Sequence, residues 1–319
     1  MRTHVYDLIG DIHGHADELV KLLSHLGYQN SDSGYRHASR KVIFLGDFID
    51  RGEHLRQHKQ LLEIVMTMVK NQHALAVMGN HEFNALAYHT LHNGRYLRKH
   101  SVKNTLQHQA FLNEFGNDDK AKERALTFFY SLPLWLELDG LRVVHACWDQ
   151  RHIDTMQTIC PTGKLDLAKL IEASTYGSQV HGAVEILLKG VEHTLEDGIT
   201  FVDKEGTVRN VVRVQWWKKT ATRLGQMVLP DGLNIGRAAS RPVPDHFPVY
   251  ADNQLPCFIG HYWFKGDPAP VSSNVACLDY SVAKDGKLVA YRWHGEQVLS
   301  AENFTYVGKK ILSQPEVSQ

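Results

Sequence analysis

A chain of 319 residues is long enough to bury one sizeable core, and its 35 basic and 35 acidic side chains leave no net charge to attract a polyanion. Nothing in the composition signals nucleic acid, and no apolar run is long enough to span a bilayer, which sets a membrane role aside. The four cysteines, Cys147, Cys160, Cys257 and Cys277, show no Cys-x-x-Cys spacing, and no signal-peptide core precedes the first strand, so the expectation is a reduced, cytoplasmic protein.

The chain opens with a short apolar run, Val5 to Ile9, that reads as a strand ending at Gly10. Asp11 and His13 follow with the two-residue spacing that points strand side chains the same way. A carboxylate and an imidazole side by side at a strand tip form a ready pair of metal ligands. Leu19, Leu22, Leu23 and Leu26 then recur at helical spacing. The pattern repeats: a strand at Lys41 to Leu45, then Gly46-Asp47-Phe48-Ile49-Asp50-Arg51-Gly52, then a helix burying Leu61, Leu62, Ile64, Val65 and Met68. A third strand, Ala74 to Met78, ends in Gly79-Asn80-His81-Glu82. Strand–helix alternation predicts an α/β fold with parallel strands, and ligands gather at the C-terminal ends of such strands.

From residue 88 to 124 the chain turns polar and basic and reads as a helical insertion capping the site. Leu134 to Leu138 and Leu141 to Val144 form a hairpin through Asp139-Gly140, ending at His145. Residues 150–200 read as helical and 201–250 as long loops, which makes 150–250 a loop-rich segment of a single domain spanning 1–319. A strand at Pro256 to Ile259 ends in Gly260-His261, and Val275 to Leu278 and Leu288 to Trp293 are read as the last strands, before a fraying tail after Gly308. Of the twenty histidines, those such as His37, His58, His92 and His108 lie in polar stretches and read as solvated surface.

Five strand ends thus offer polar residues: Asp11 and His13; Asp47, Asp50 and Arg51; Asn80 and His81; His145; His261. A lone strand-end histidine is more often structural than a ligand, but carboxylates are rarely buried unpaired, and five such clusters in order point to one pocket.

These motifs, in this order, resemble the calcineurin-like metallophosphoesterases, and within them the phosphoprotein phosphatase branch. The resemblance implies a four-layered fold, two mixed β-sheets sandwiched between helices, around two divalent metal ions. Asp11 and His13 would hold the first metal, Asp47 would bridge both, and Asn80, His145 and His261 would hold the second. Mixed nitrogen and oxygen ligands suit Mn, Fe, Zn or Ni over Ca without choosing among them, and Mn2+ is the working expectation. A hydroxide bridging the two metals would attack phosphorus. His81 would be the general acid, Asp50 would keep it protonated, and Arg51 would clamp phosphate oxygens in its forked guanidinium. Asn80 would also contact substrate.

The departures narrow the substrate. Gly260-His261-Tyr262-Trp263 lacks the second histidine of many metallophosphoesterases, as in the phosphoprotein phosphatase branch. Val77-Met78 stand where eukaryotic-type Ser/Thr phosphatases carry Leu-Arg, and the Ser-Ala-Pro-Asn-Tyr signature is missing. Symmetrical diadenosine tetraphosphatases share the framework but often lack the aspartate matching Asp50. Thr200 to Trp217 looks like phosphatase modules of polynucleotide-end repair enzymes, and by that likeness Asp279 would shape the site. Arg213 and Arg237 are both candidates for a second phosphate-binding arginine, with Arg213 carried forward. Trp216 and Trp217 have rings that stack on a base, although tryptophans of this kind more often fill a core. The expected activity is phosphomonoester hydrolysis, on a phosphorylated small molecule, nucleotide or phosphopeptide. The alternatives are a symmetrical diadenosine tetraphosphatase, a nucleotide or polynucleotide-end phosphatase, and a silent fold that binds phosphorylated ligands.

Overall fold

The structure is a computed structural model and describes residues 5–51, 55–202 and 206–308. Gly52, part of the loop-rich stretch at 203–205 and the tail after Gly308 lie outside the described residues. The alternation read from the first third is present: β1 (Val5–Ile9), α1 (Ala16–His25), β2 (Arg40–Phe44), α2 (His58–Lys70), β3 (Ala74–Ala76) and α3 (Asn80–His89). The segment after α3 is not purely helical. It starts with a small hairpin, β4 (Leu91–His92) and β5 (Arg95–Tyr96), before α4 (Val102–Gln107), α5 (Gln109–Phe115) and α6 (Asp119–Ser131). Asn93 and Gly94 both take left-handed backbone at its tip, the requirement of a tight two-residue hairpin turn.

β6 (Trp135–Leu138) and β7 (Leu141–Val144) follow, and then α7 (Gln150–Ile159), α8 (Leu167–Ala173) and α9 (Gln179–Lys189). The end of the stretch expected as helical, at 192–194, is a strand, and the stretch expected as long loops holds more regular structure. β8 (Glu192–Thr194), β11 (Val211–Val214) and β12 (Val228–Leu229) form an antiparallel sheet. β9 (Phe201–Val202) pairs with β10 (Val208–Arg209), and α10 (Leu224–Met227) leads into β12. These strands are two to four residues long and flanked by Gly, Pro and Asp, so their alternation is too brief to stand out in sequence. The chain closes with β13 (Cys257–Ile259), β14 (Val275–Cys277), β15 (Asp279–Tyr280), β16 (Lys287–Trp293) and β17 (Phe304–Gly308). β17 was not anticipated. It pairs antiparallel along β16 with its residues half-buried or exposed, so it lacks an apolar signature.

Two mixed sheets result. One runs β15-β16-β1-β2-β3, with β1, β2 and β3 parallel; the other runs β14-β13-β7-β6, with β14, β13 and β7 parallel. Period-two alternation divides their side chains between layers. Leu8, Ile43 and Val77 of the first sheet side meet Val143, Phe258 and Ala276 of the second in an inner core. Ile9, Val42 and Phe44 face the other way, toward Leu19, Leu23 and Leu61 of α1 and α2. Val144, Ile259 and Cys277 likewise join Val184 and Leu187 of α9. Each fully buried aliphatic side chain contributes roughly 1.5–3 kcal/mol. The order helix, sheet, sheet, helix is the expected four-layered arrangement. Trp216 and Trp217 are core: Trp216 donates its indole N–H to Ala146 O and Tyr262 Oη, both at 3.1 Å, and Trp217 packs edge-on against Tyr262.

Candidate metal centre

The loops after β1, β2, β3, β7 and β13 converge at one edge of the sandwich. His145 ties the sheets together by donating Nδ1–H to Leu45 O at 2.7 Å. Ile12 and His13 donate backbone N–H to Asp47 O, and Gly260 donates to His145 O. His13, Asp47, Asp50, Arg51 and His261 all hold left-handed backbone, a conformation that costs a non-glycine residue of order 1–3 kcal/mol and persists only where its surroundings enforce it.

Glu82 does much of that enforcing. Fully buried at the start of α3, it accepts N–H groups from Asp47 and Phe48 at 2.8 Å and from Gly79 at 3.0 Å. Burial and the nearby Asp47 charge push its carboxyl up to about 7. Its place in Gly-Asn-His-Glu was visible in the sequence, but its role as a brace between two strand-end loops was not.

Asp47 sits at the centre. Its Oδ1 accepts His81 N–H at 3.0 Å and lies 3.4 Å from His145 Nε2, while its Oδ2 lies 3.8 Å from His13 Nε2. It belongs to both groups of buried side chains with ligand atoms close enough to share a cation: His13, Asp47 and His81, and Asp11, Asp47 and His145. Asn80 Oδ1 lies 3.1 Å from His145 Nε2 and 2.8 Å from His261 Nδ1. Asp11 accepts His261 N–H. The structure therefore brings Asp11, His13, Asp47, Asn80, His145 and His261 together.

Two features fit these residues to cations. His13 donates Nδ1–H to Ile49 O at 2.9 Å, which fixes its tautomer and leaves a buried Nε2 without a hydrogen-bond partner among the described residues; His261 turns its Nδ1 to Asn80 Oδ1. Leaving buried polar atoms unmatched is costly, and an unpaired imidazole nitrogen held by a bond at its other nitrogen is how metal-ligating histidines are presented. Asp11 is also short of counter-charge. Burial, then Asp279 and Asp47, push its carboxyl well above the carboxylate range, a strain that a bound cation relieves. Burial opposes the ionised form of Asp47 too, but His145, His81 and His13 outweigh it and hold that carboxyl well below its usual value.

His81 Nδ1 lies 2.8 Å from Asp50 Oδ2, with both side chains buried. Burial pulls the imidazole pKa down, but Asp47 and Asp50 overcome it and raise the value above 6.5. Arg51 packs its guanidinium over the Trp263 ring, 4.7 Å from the centroid, and its buried Nε has no partner among the described residues. Beside it opens a cavity of about 700 Å3, lined by Arg51, Trp263 and Lys284 together with Val102, Lys103 and Leu106 of α4. The inserted segment thus forms a wall of the opening.

Burial and then the Arg213 charge push the His261 imidazole well below its usual value, which places Arg213, of the two candidate arginines, on the side of the site; Arg237 is exposed and lies 3.7 Å from Asp197. Asp279 reaches backbone, accepting Trp263 N–H at 2.7 Å and Ser281 N–H at 3.0 Å. It shapes the loop that carries Trp263.

Two histidines expected at the surface are buried. His58 Nδ1 lies 2.7 Å from Glu114 Oε1, and His108 Nδ1 lies 2.9 Å from Asp50 Oδ1. Polar flanks hid both, because each meets its carboxylate partner only in the folded chain. His92 is exposed as expected, and His37 is half-buried.

The profile of the family described as calcineurin-like phosphoesterase matches residues 6–167. Two bacterial proteins named bis(5'-nucleosyl)-tetraphosphatase PrpE [asymmetrical] are similar in sequence. The one from Oceanobacillus iheyensis is 31% identical over 141 residues, covering 44% of this chain and 54% of that protein. The one from Halalkalibacterium halodurans is 36% identical over 147 residues, covering 44% and 56%. The chain spans about half the length of the curated relatives it matches. A Saccharomyces cerevisiae protein serine/threonine phosphatase has a similar fold, with a TM-score of 0.52 at 12% identity over 99% of this chain and 82% of that one. With half of its length matched by the family profile and every motif gathered at one edge of the sandwich, the chain belongs to the calcineurin-like phosphoesterase family.

Proposed function

We propose that the chain is a dinuclear metal-dependent phosphatase acting on phosphomonoesters, with a phosphorylated small molecule, nucleotide or phosphopeptide as substrate. The observation that carries this reading is the buried Asp47 carboxylate shared by two groups of ligand-type side chains, one with His13 and its unpartnered Nε2, the other with Asp11 and His145. Asp11, His13 and Asp47 would hold one cation, and Asp47, Asn80, His145 and His261 the other, with Mn2+ first among candidates. Bound there, two cations supply an acidified water and neutralise phosphate charge.

The remaining work falls to the chain. Arg51, braced on Trp263, would offer its guanidinium to phosphate oxygens, and Arg213 adds positive charge on the His261 side. His81 keeps its Nδ1–H on Asp50, so its Nε2–H is the proton available to the leaving oxygen. Asp279 holds the Trp263 loop in place through backbone bonds. The four cysteines are free thiols, in keeping with a reducing cytoplasm, and no helix among the described residues is long and apolar enough to cross a membrane.

Turnover of p-nitrophenyl phosphate by metal-stripped protein, followed as Mn2+ is restored, tests the reading: activity should appear with the metal. Absence of turnover at every metal level overturns it and leaves the silent, ligand-binding fold. The names of the similar PrpE proteins favour a second reading, hydrolysis of dinucleoside tetraphosphates. A preference for such a dinucleotide over phosphomonoesters by more than about tenfold in kcat/KM, roughly 1.4 kcal/mol, reverses the ranking.

A further inference from the structure

Asp50 is the point at which the inserted segment reaches the site. Its carboxylate carries an imidazole on each oxygen: His81 Nδ1 at 2.8 Å from Oδ2, and His108 Nδ1 at 2.9 Å from Oδ1. All three side chains are buried. His108 lies where α4 meets α5 and stacks on Phe111, with ring centroids 4.8 Å apart and planes at 15°. Its Nε2 lies 3.1 Å from Nε2 of His89, the last residue of α3.

The protons follow from this geometry. An ionised carboxylate only accepts, so both Nδ1 atoms carry hydrogens. Only one proton can occupy the His108–His89 contact. Burial and His108 push His89 down to about 4, so it is neutral near neutral pH. Asp50 itself sits on left-handed backbone, which persists only where its surroundings enforce it. A carboxylate gripped at one oxygen can still turn about its last torsion; a second N–H on the other oxygen fixes its plane.

We propose that His108 is a positioning residue for the reaction: by pinning the second oxygen of Asp50 it fixes the plane in which Asp50 holds His81, and so makes the inserted helices part of the leaving-group step. This rests on the reading of His81 as proton donor. A merely structural His108 would anchor α4 and α5 without touching that step.

The test compares p-nitrophenyl phosphate, whose leaving group needs little proton assistance, with an alkyl phosphate, which needs it. His108→Phe should lower kcat on the alkyl phosphate about tenfold, and on p-nitrophenyl phosphate by less than about twofold, with KM and metal content unchanged. His108→Asn, whose amide N–H can reach the same Asp50 oxygen, should restore most of the loss. In an Asp50→Asn background, adding His108→Phe should cost less than about twofold, because the two residues act as one unit. Equal losses on both substrates, losses that add to those of Asp50→Asn, or a failure of Asn to rescue would overturn the proposal. A readout free of turnover separates this from failure of the phosphatase reading. The low-field N–H proton resonance of the His81–Asp50 pair should shift in His108→Phe and return in His108→Asn. An unmoved resonance sinks the positioning role whether or not the wild-type protein turns over either substrate.

Discussion

Gly260→Ala perturbs the Asp11 carboxylate without substituting a proposed ligand. Gly260 does not hold left-handed backbone, so alanine brings no conformational penalty of that kind. Its new Cβ would lie 2.0 Å from Asp11 Oδ1, where real contacts essentially never fall below 3.0 Å, and the three nearest atoms all belong to Asp11. The carboxylate must therefore move by about 1 Å, several times the roughly 0.2 Å tolerance of a metal–ligand distance. Losing one well-placed ligand should weaken the Asp11 site about 10- to 100-fold, or about 1.4–2.7 kcal/mol, while the Asn80–His145–His261 side keeps its ion. Calorimetric titration of Mn2+ into stripped protein measures this directly. Wild type should bind two ions, and the variant should lose the tighter binding of one. Its phosphatase activity should recover only at higher Mn2+. Two ions bound with unchanged affinity would refute the placement of Asp11 in the metal centre.

Arg51→Ala should weaken inhibition by vanadate or inorganic phosphate about tenfold or more, since charge-assisted bonds to phosphate are lost; inhibition curves that superimpose on wild type would remove Arg51 from the clamp. The raised His81 pKa fixes the sign of a pH effect. Because the folded value lies above 6.5, its stabilising contribution is complete below 6.5 and is lost as pH rises through the folded value, and so is its use as an acid. Asp50→Asn removes one of the charges that sustain the shift, so the alkaline limb of kcat/KM on an alkyl phosphate should move to lower pH; an unmoved limb would count against His81. Gly182 lies inside α9 with open space around its absent Cβ, so Gly182→Ala should stabilise the protein by about 0.5–1 kcal/mol in urea denaturation without altering activity. Destabilisation there would mean that α9 packs differently.

The first three strand–helix units were legible because each strand is short, apolar and followed at once by glycine and ligand-type residues. Asp11, Asp47 and Asn80 all stand one or two residues beyond an apolar run that sequence alone locates. That His145 and His261 join them in one pocket followed from their places at strand ends, whereas their assignment to a particular metal came from the family resemblance, since the sheets that bring them together pair residues more than one hundred positions apart. What escaped was held by contacts between distant polar segments. His108 and His58 each hydrogen-bond a carboxylate that sequence gives no reason to place beside them. Glu82 braces loops by accepting backbone N–H groups, an interaction with no side-chain partner to read. The strands between 192 and 229 are too short for a period, and β17 is too exposed for one. The hairpin at Asn93-Gly94 is different: its turn dipeptide was in plain view, but the surrounding basic residues favoured a helical reading.

Metal content per chain, measured by elemental analysis of active wild-type protein and of Asp47→Asn at limiting Mn2+, bears most directly on the claim that one carboxylate joins two ligand groups into a catalytic centre. Wild-type protein should hold two ions per chain, and Asp47→Asn should lose both metal retention and turnover. One ion or none in fully active wild type, or an Asp47→Asn variant that keeps two ions and full activity, would contradict that claim.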